Sequence, residues 1–223
     1  MFSWLIDALF PLECVGCGAE KTIACENCLA NLRFNEETTC PQVTVTGGQV
    51  AFVSMYSYAN PIVKGLLRKA KFHAVEPTRG AIIQLARKGL AHFASQLPSG
   101  DDVIVIPIPV VASRLRERGF DHILDIAKVV SANLKAPIVK ALAAKEHKRQ
   151  SQLESEASRL KNIREVFSVC APVSGKRVIL VDDVATSGAT LGEAARVLES
   201  AGVCEVFGVV LARGGKKSES TTS

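Results

Sequence analysis

Residues 178–191 read Val-Ile-Leu-Val-Asp-Asp-Val-Ala-Thr-Ser-Gly-Ala-Thr-Leu. The aliphatic run Val178 to Val181, with Arg177 before it, suits a strand buried on both faces. Two carboxylates, Asp182 and Asp183, close the run. A turn of small and hydroxylated residues follows, and Ala189 to Ser200 has helical spacing. In open α/β sheets, ligands bind outside the carboxyl ends of the strands. Backbone N–H groups at the helix start, with the hydroxyls of Thr186, Ser187 and Thr190, form a cradle for phosphate. Gly188 lets the main chain come close. Two acids beside such a cradle would repel a bare polyanion, so they fit a ligand whose hydroxyls or metal ion they can hold. Ribose hydroxyls next to a 5′-phosphate meet both demands. The plainer alternative is the polar strand-to-helix turn of any α/β protein. A Walker A loop is excluded, because no G-x4-G-K-[ST] occurs.

The rest of the chain repeats the alternation. Val50 to Tyr58 is a β-rich strand, and Pro61 to Phe72 is a helix with basic residues opposite its apolar face. Arg79 to Leu97 is a second amphipathic helix. Gly100-Asp101-Asp102 opens a buried-type strand, Val103 to Ile106. Asp121 to Leu134 is helical, Ile138 to Leu142 is a short apolar run, and Cys204 to Leu211 is a last strand. Strands alternating with helices predict an α/β fold with a mostly parallel sheet flanked by helices. Residues 145–165 are polar, with six basic and four acidic side chains. Gly214 onward is a polar tail, expected to be disordered.

The chain has 223 residues, is 48% hydrophobic and 22% charged, and has mean hydropathy +0.20. That length predicts one full domain plus a small module, and the composition excludes wholesale disorder. Residues 1–40 carry 2 basic and 6 acidic groups, net −4, and residues 41–223 carry net +9. The larger part therefore favours anionic ligands. No apolar run reaches ~20 residues, so no membrane span is expected. Met1 to Leu12 is apolar but short, carries Asp7 and lacks a basic leader. It therefore fails as a signal peptide and is expected to be a helix docked on the protein rather than a membrane anchor, and the compartment is expected to be cytoplasmic and reducing.

Five of seven cysteines lie in the first 40 residues. The spacing is Cys14-x2-Cys17, seven residues, then Cys25-x2-Cys28. Each pair can present two thiolates to one ion from a tight turn, with Gly16 and Gly18 as residues that tolerate φ > 0. Two such knuckles close a tetrahedral zinc site. Its job would be to fold a segment too small for its own core. The alternative is a set of buried or redox cysteines. Cys40 is a spare thiol or a substitute ligand; a third knuckle would need cysteine at position 43, which is Val43. Cys170 and Cys204 read as small core residues. Thr/Gly/Val-rich Gln42 to Gln49 separates the knuckles from the α/β part of the chain. The expected division is a zinc module over 1–45, the α/β domain over 46–213 and the tail over 214–223.

Ile106-Pro107-Ile108-Pro109 ends the strand before three arginines, Arg114, Arg116 and Arg118. Guanidinium groups bind phosphate oxygens through paired N–H donors. Alone, an arginine-rich helix face is a solvated face; beside the 178–191 motif it becomes an anion site.

Residues 178–191 resemble the phosphoribosyl pyrophosphate (PRPP) motif of type I phosphoribosyltransferases. The resemblance implies that Asp182 and Asp183 hold the ribose 2′- and 3′-hydroxyls and are the catalytic pair. It puts Ala185, Thr186, Ser187, Gly188, Ala189 and Thr190 around the 5′-phosphate, and the pyrophosphate at Pro107 to Ser113 with Arg114, Arg116 and Arg118. Mg²⁺ would bridge the pyrophosphate. Residues 145–165 resemble the mobile loop that such enzymes fold over PRPP, with Lys148, Arg149 and Arg159 as candidates to neutralise charge.

From Leu12 to Arg213, the order of parts is similar to the ComF/GntX-like family, a zinc module followed by a phosphoribosyltransferase domain. The family-like stretches are Arg114-x-Arg116-x-Arg118-Gly119-Phe120, Gln150-x-x-Leu153, and Arg159-x-x-Asn162 with Phe167. Two departures stand out. Asp121-His122 replaces the Asn-Gln that often follows Gly-Phe, and of a frequent further cysteine pair only Cys40 is present.

The resemblance implies a transferase acting at the anomeric carbon of PRPP. Thr186 stands where purine-salvage relatives often place an acid, which argues against simple purine salvage. Neither a glutaminase domain nor an N-terminal catalytic cysteine supports an amidotransferase. His122 and His147 could do acid–base work or be structural. The resemblance also implies a role in natural transformation, with single-stranded DNA or competence-machinery proteins as partners and PRPP as ligand. The 5% aromatic content gives little for base stacking.

Overall fold

The computed structural model describes residues 12–35, 43–45, 48–72, 76–144 and 166–214. The expectations for Met1 to Pro11, Cys40, residues 145–165 (with Lys148, Arg149 and Arg159) and the tail beyond 214 lie outside those residues.

Seven strands are described: β1 (Val43–Val45), β2 (Gly48–Ser57), β3 (Val103–Pro107), β4 (Leu142–Ala144), β5 (Phe167–Val169), β6 (Arg177–Ala185) and β7 (Glu205–Arg213). The helices are α1 (Glu26–Ala30), α2 (Pro61–Phe72), α3 (Glu76–Phe93), α4 (Ala112–Arg118), α5 (His122–Leu134) and α6 (Ala189–Ser200). The main sheet has order β1-β2-β7-β6-β3. β2, β7, β6 and β3 run parallel, and β1 is an antiparallel edge. β4 and β5 form a separate antiparallel pair.

The strand period of two sorts side chains into two cores. Ile179 and Val181 of β6, Val103 and Val105 of β3, and Phe207 and Val209 of β7 face α2, α3 and α5. Val178, Leu180, Ile104, Ile106, Val206 and Val210 face α6, β4 and β5. Burial on both faces explains the near-continuous apolar runs. Gly208 is required by space: a Cβ there would lie 2.5 Å from that of Phe52.

Three expectations change. The segment Gln42 to Gln49 is not merely a separator, because β1 and the start of β2 fall within it. The strand from Arg177 runs past Val181 to Ala185, because β7 continues to pair with it as far as Ala185↔Arg213. Cys170 and Cys204 are exposed: one follows β5, with its thiol 3.4 Å from the Lys140 carbonyl, and the other lies in the turn before β7. Their apolar neighbours are buried by strands that these two residues merely flank.

Candidate functional site

Two centres emerge. The first is the cysteine cluster. The Sγ atoms of Cys14, Cys17, Cys25 and Cys28 lie within 4.8 Å of one another, with Cys17 and Cys25 at 3.6 Å. A tetrahedral ion with Zn–S bonds near 2.3 Å would set sulfurs about 3.8 Å apart, so the set fits zinc. Backbone N–H groups already point at sulfur, Cys25 N to Cys14 Sγ at 3.3 Å and Cys28 N to Cys25 Sγ at 3.4 Å. Burial acts to raise the Cys14 thiol, but the amides of Cys25, Cys17 and Gly16 bring it down to about 6. Its neighbour Cys25, together with burial, pushes Cys28 up to about 12. Four thiols this close cannot all ionise without a cation among them. Gly18 has φ +75° as the knuckle demands. Gly16 serves differently: a Cβ there would sit 2.7 Å from Cys28 Sγ and 2.9 Å from Ile62.

The module rests on the larger fold. Ile23, Leu29 and Leu32 belong to the core built on α2, α3 and α5. Lys88 of α3 donates to the carbonyls of Leu29 (2.6 Å) and Ala30 (2.7 Å) at the end of α1. Phe34 stacks on His92 with ring centroids 4.1 Å apart.

The second centre is at the carboxyl end of β6. β3 pairs with β6 only as far as Pro107↔Val181, and Ile108 N donates to Val181 O at 2.8 Å. Beyond that point β3 peels away, and Asp182 and Asp183 stand at the split. Both are 6% exposed. The Asp183 amide donates to Asp182 Oδ1 at 2.8 Å. Asp183 Oδ2 lies 2.7 Å from Lys71 Nζ and 2.8 Å from His122 Nε2. A carboxylate only accepts, so His122 carries its proton on Nε2 here. Burial raises the Asp182 carboxyl, and the neighbouring Asp183 charge adds to that. Burial opposes ionisation of Asp183 too, but the His122 hydrogen bond and the Lys71 charge hold it well below the usual carboxylate range. Asp183 therefore carries the firm negative charge of the pair.

After β6 the chain turns through Thr186 and Ser187, both exposed. Gly188, at φ 75°, is the N-cap of α6. Its left-handed backbone is one that only glycine adopts cheaply. Ala189 and Thr190 open the helix, whose first-turn N–H groups have no partner within the helix itself; that of Ala189 donates to Ser187 Oγ at 3.4 Å. Ala185 is buried beneath the turn.

Pro107 is buried at the end of β3, and the chain from Ile108 to Val111 leads into α4. Arg114 and Arg116 are exposed, and Arg118 is half-buried. Burial lowers the Arg118 guanidinium, with the Asp183 and Asp121 charges acting the other way, which puts Arg118 within electrostatic reach of the acids. Asp121 caps α5, accepting from Leu124 N at 3.0 Å. That is worth about 1 kcal/mol. Its successor His122 is fully buried on Asp183. Nothing in the sequence singles out Lys71. It is one of several lysines on a basic helix face, and only its ion pair with Asp183 in the folded chain distinguishes it.

Residues 122–221 match the phosphoribosyl transferase domain family model, and residues 5–50 match the double zinc ribbon domain model. Among the described residues there is one cluster of four thiols. A curated relative is Competence protein F of Haemophilus influenzae, 25% identical over 88% of this chain and 82% of that protein. Another is Competence protein ComFC of Streptococcus pneumoniae, 24% identical over 82% of this chain and 77% of its own length. Among solved structures, the allosteric regulatory enzyme of purine biosynthesis is 18% identical with TM-score 0.41. The match covers 64% of this chain and 29% of that one.

Proposed function

We propose that this chain, which belongs to the ComF/GntX-like family of zinc module plus type I phosphoribosyltransferase domain, binds PRPP with Mg²⁺ and transfers its phosphoribosyl group to an acceptor. The observation that carries the reading is the buried Asp182–Asp183 pair at the carboxyl end of β6, directly before the Gly188-capped start of α6. Asp183, held ionised by Lys71 and His122, accepts from a ribose hydroxyl. Asp182, whose charge is made costly by burial, accepts from the other. The 5′-phosphate sits among Ala185 to Thr190, and Arg114, Arg116 and Arg118 face the pyrophosphate side. The C1–O bond to pyrophosphate breaks with the electron pair leaving on the phosphate oxygen, and the acceptor's lone pair forms the new bond to C1. Bound Mg²⁺ supplies positive charge to the departing pyrophosphate. The arginines supply the rest as fixed, preorganised charge.

The test is a thermal shift of purified protein with PRPP and Mg²⁺. A shift in wild type that Asp182→Asn/Asp183→Asn abolishes supports the site. No shift in wild type overturns it. A screen of bases and amines for pyrophosphate release from PRPP then identifies the acceptor.

A second reading is a cytoplasmic protein of DNA uptake that binds single-stranded DNA, with PRPP as ligand. One feature favours it. α2 carries Lys64, Arg68, Lys69 and Lys71 and no acid, and it packs against arginine-rich α4. The exposed large apolar side chains among the described residues, Phe72 (76%) and Leu115 (37%), lie on these same two helices. A cationic surface with apolar side chains suits an unpaired strand. Salt-dependent binding of single-stranded DNA that persists without pyrophosphate release would favour this reading over the first.

A further inference from the structure

Asp183 presents its two oxygens unequally. Oδ2 takes both protein donors, Lys71 Nζ from the end of α2 and His122 Nε2 from the first turn of α5. Oδ1 has no donor among the described residues. Nor is it among the sealed, unpartnered side-chain atoms, which are Thr78 Oγ1 and His122 Nδ1. One oxygen therefore takes both protein donors, while the other keeps some exposure and has no donor among the described residues.

His122 is fully buried, with Nδ1 left without a partner. An apolar side chain would fill this place at the start of α5 without stranding a polar atom. The histidine is explained by what its other nitrogen does. With one donor from each of two elements, the carboxylate plane is fixed rather than free to rotate about the Cβ–Cγ bond.

We propose that His122, assisted by Lys71, is a positioning residue that sets sugar recognition: the two donors hold Oδ2 so that Oδ1 alone is offered to a ribose hydroxyl. This rests on the PRPP reading above. It also gives the departure at position 122 a meaning. The glutamine often found there in the family carries an amide N–H, which can make the same donation as the imidazole Nε2–H.

The experiment measures affinity for PRPP and for inorganic pyrophosphate, which has no sugar, in Mg²⁺ buffer. It compares wild type, His122→Leu, His122→Gln and Lys71→Met. The readout is the ratio of the two affinities. In His122→Leu the ratio falls about tenfold or more, the scale of one lost hydrogen bond to a charged group. In Lys71→Met, a half-buried position at a helix end that folds even if the buried variant does not, it falls about threefold. In His122→Gln it stays within twofold of wild type. Equal ratios in wild type, His122→Leu and Lys71→Met overturn the inference while leaving the PRPP site standing, as does an equal loss of both ligands. A wild-type protein that binds no PRPP overturns both.

Discussion

The two centres are assembled in opposite ways. All four thiols come from the fifteen-residue span Cys14 to Cys28, and their amide contacts stay inside it. The aspartate centre draws Lys71 from α2, His122 from α5 and both acids from β6. It exists only because the sheet places three distant segments side by side. The first centre requires an ion and little else, whereas the second requires the whole fold. They are not independent, however. Helix α2 has Ile62 against Gly16 near one end and Lys71 on Asp183 at the other. That separates the contacts by about 14 Å along the helix axis.

The largest test of this contrast is chelation. Zinc withdrawal is expected to release about one ion per chain and to lower the melting temperature by about 10 °C or more. The cost exceeds the module itself because Ile23, Leu29 and Leu32 leave the main core. Each such side chain is worth roughly 1.5–3 kcal/mol. Metal analysis with scanning calorimetry measures both. An unchanged melting temperature would show that the module stands without its ion.

Next in size is a matched pair of glycine substitutions. Gly16→Val drives a side chain into Cys28 Sγ and Ile62, and Gly208→Ala drives one into Phe52. Each is expected to cost about 2–3 kcal/mol in denaturant unfolding. Only the first should speed zinc loss to a competing chelator. If both do, the module is coupled to the sheet more tightly than α2 alone accounts for.

This contrast also explains what is readable from sequence. Cys14-x2-Cys17 and Cys25-x2-Cys28 announce their geometry because every ligand lies within two turns of chain. Asp182 and Asp183 are legible for the same reason, since strand, acids, glycine and helix are consecutive. α2 and α6 appear with the bounds that their spacing predicts, because one face of each is buried on the sheet. The meeting of Lys71 and His122 on one aspartate is not legible, because strand order decides which lysine or histidine arrives there. Gly16 reads as a conformational need in the sequence, whereas its reason is space. Cys170 and Cys204 escape the core that their neighbours suggest, because local hydropathy does not say on which side of a strand end a residue falls.

A smaller effect is expected from Arg79→Ala. Arg79 grips the buried Asp125 of α5 through two bonds, Nε to Oδ2 at 2.7 Å and Nη2 to Oδ1 at 3.0 Å. Lys128, at 3.4 Å, remains as partial compensation. The loss is expected to lower the melting temperature in scanning calorimetry by less than either glycine substitution does, because the Arg79 side chain is one-third exposed and solvent screens the pair. PRPP affinity should be unchanged, since the pair shares no hydrogen bond with Asp183.

The smallest effect is acid sensitivity at the far edge of the sheet. Arg177 Nε and Nη2 each lie 2.7 Å from an Asp102 oxygen, and this hydrogen bonding outweighs burial to bring Asp102 down to about 2. A carboxyl lowered from about 3.9 when unfolded stabilises the fold above that pH and loses its contribution as pH falls toward 2. Arg177→Met should flatten that part of the pH–stability profile only slightly, because Asp102 is about half exposed.

β7 comes after every other described strand in the chain, yet it lies between β2 and β6 in the sheet. Until it is made, β2 and the β3–β6 pair have nothing to join them. At about 5–20 residues per second, ribosomes leave those two open edges waiting for several seconds. The four cysteines of the cluster, all within the first thirty residues, can meanwhile take up an ion. Synthesis thus imposes a timetable in which the thiol cluster comes first and the aspartate centre last, assembled only when β7 slides into its gap.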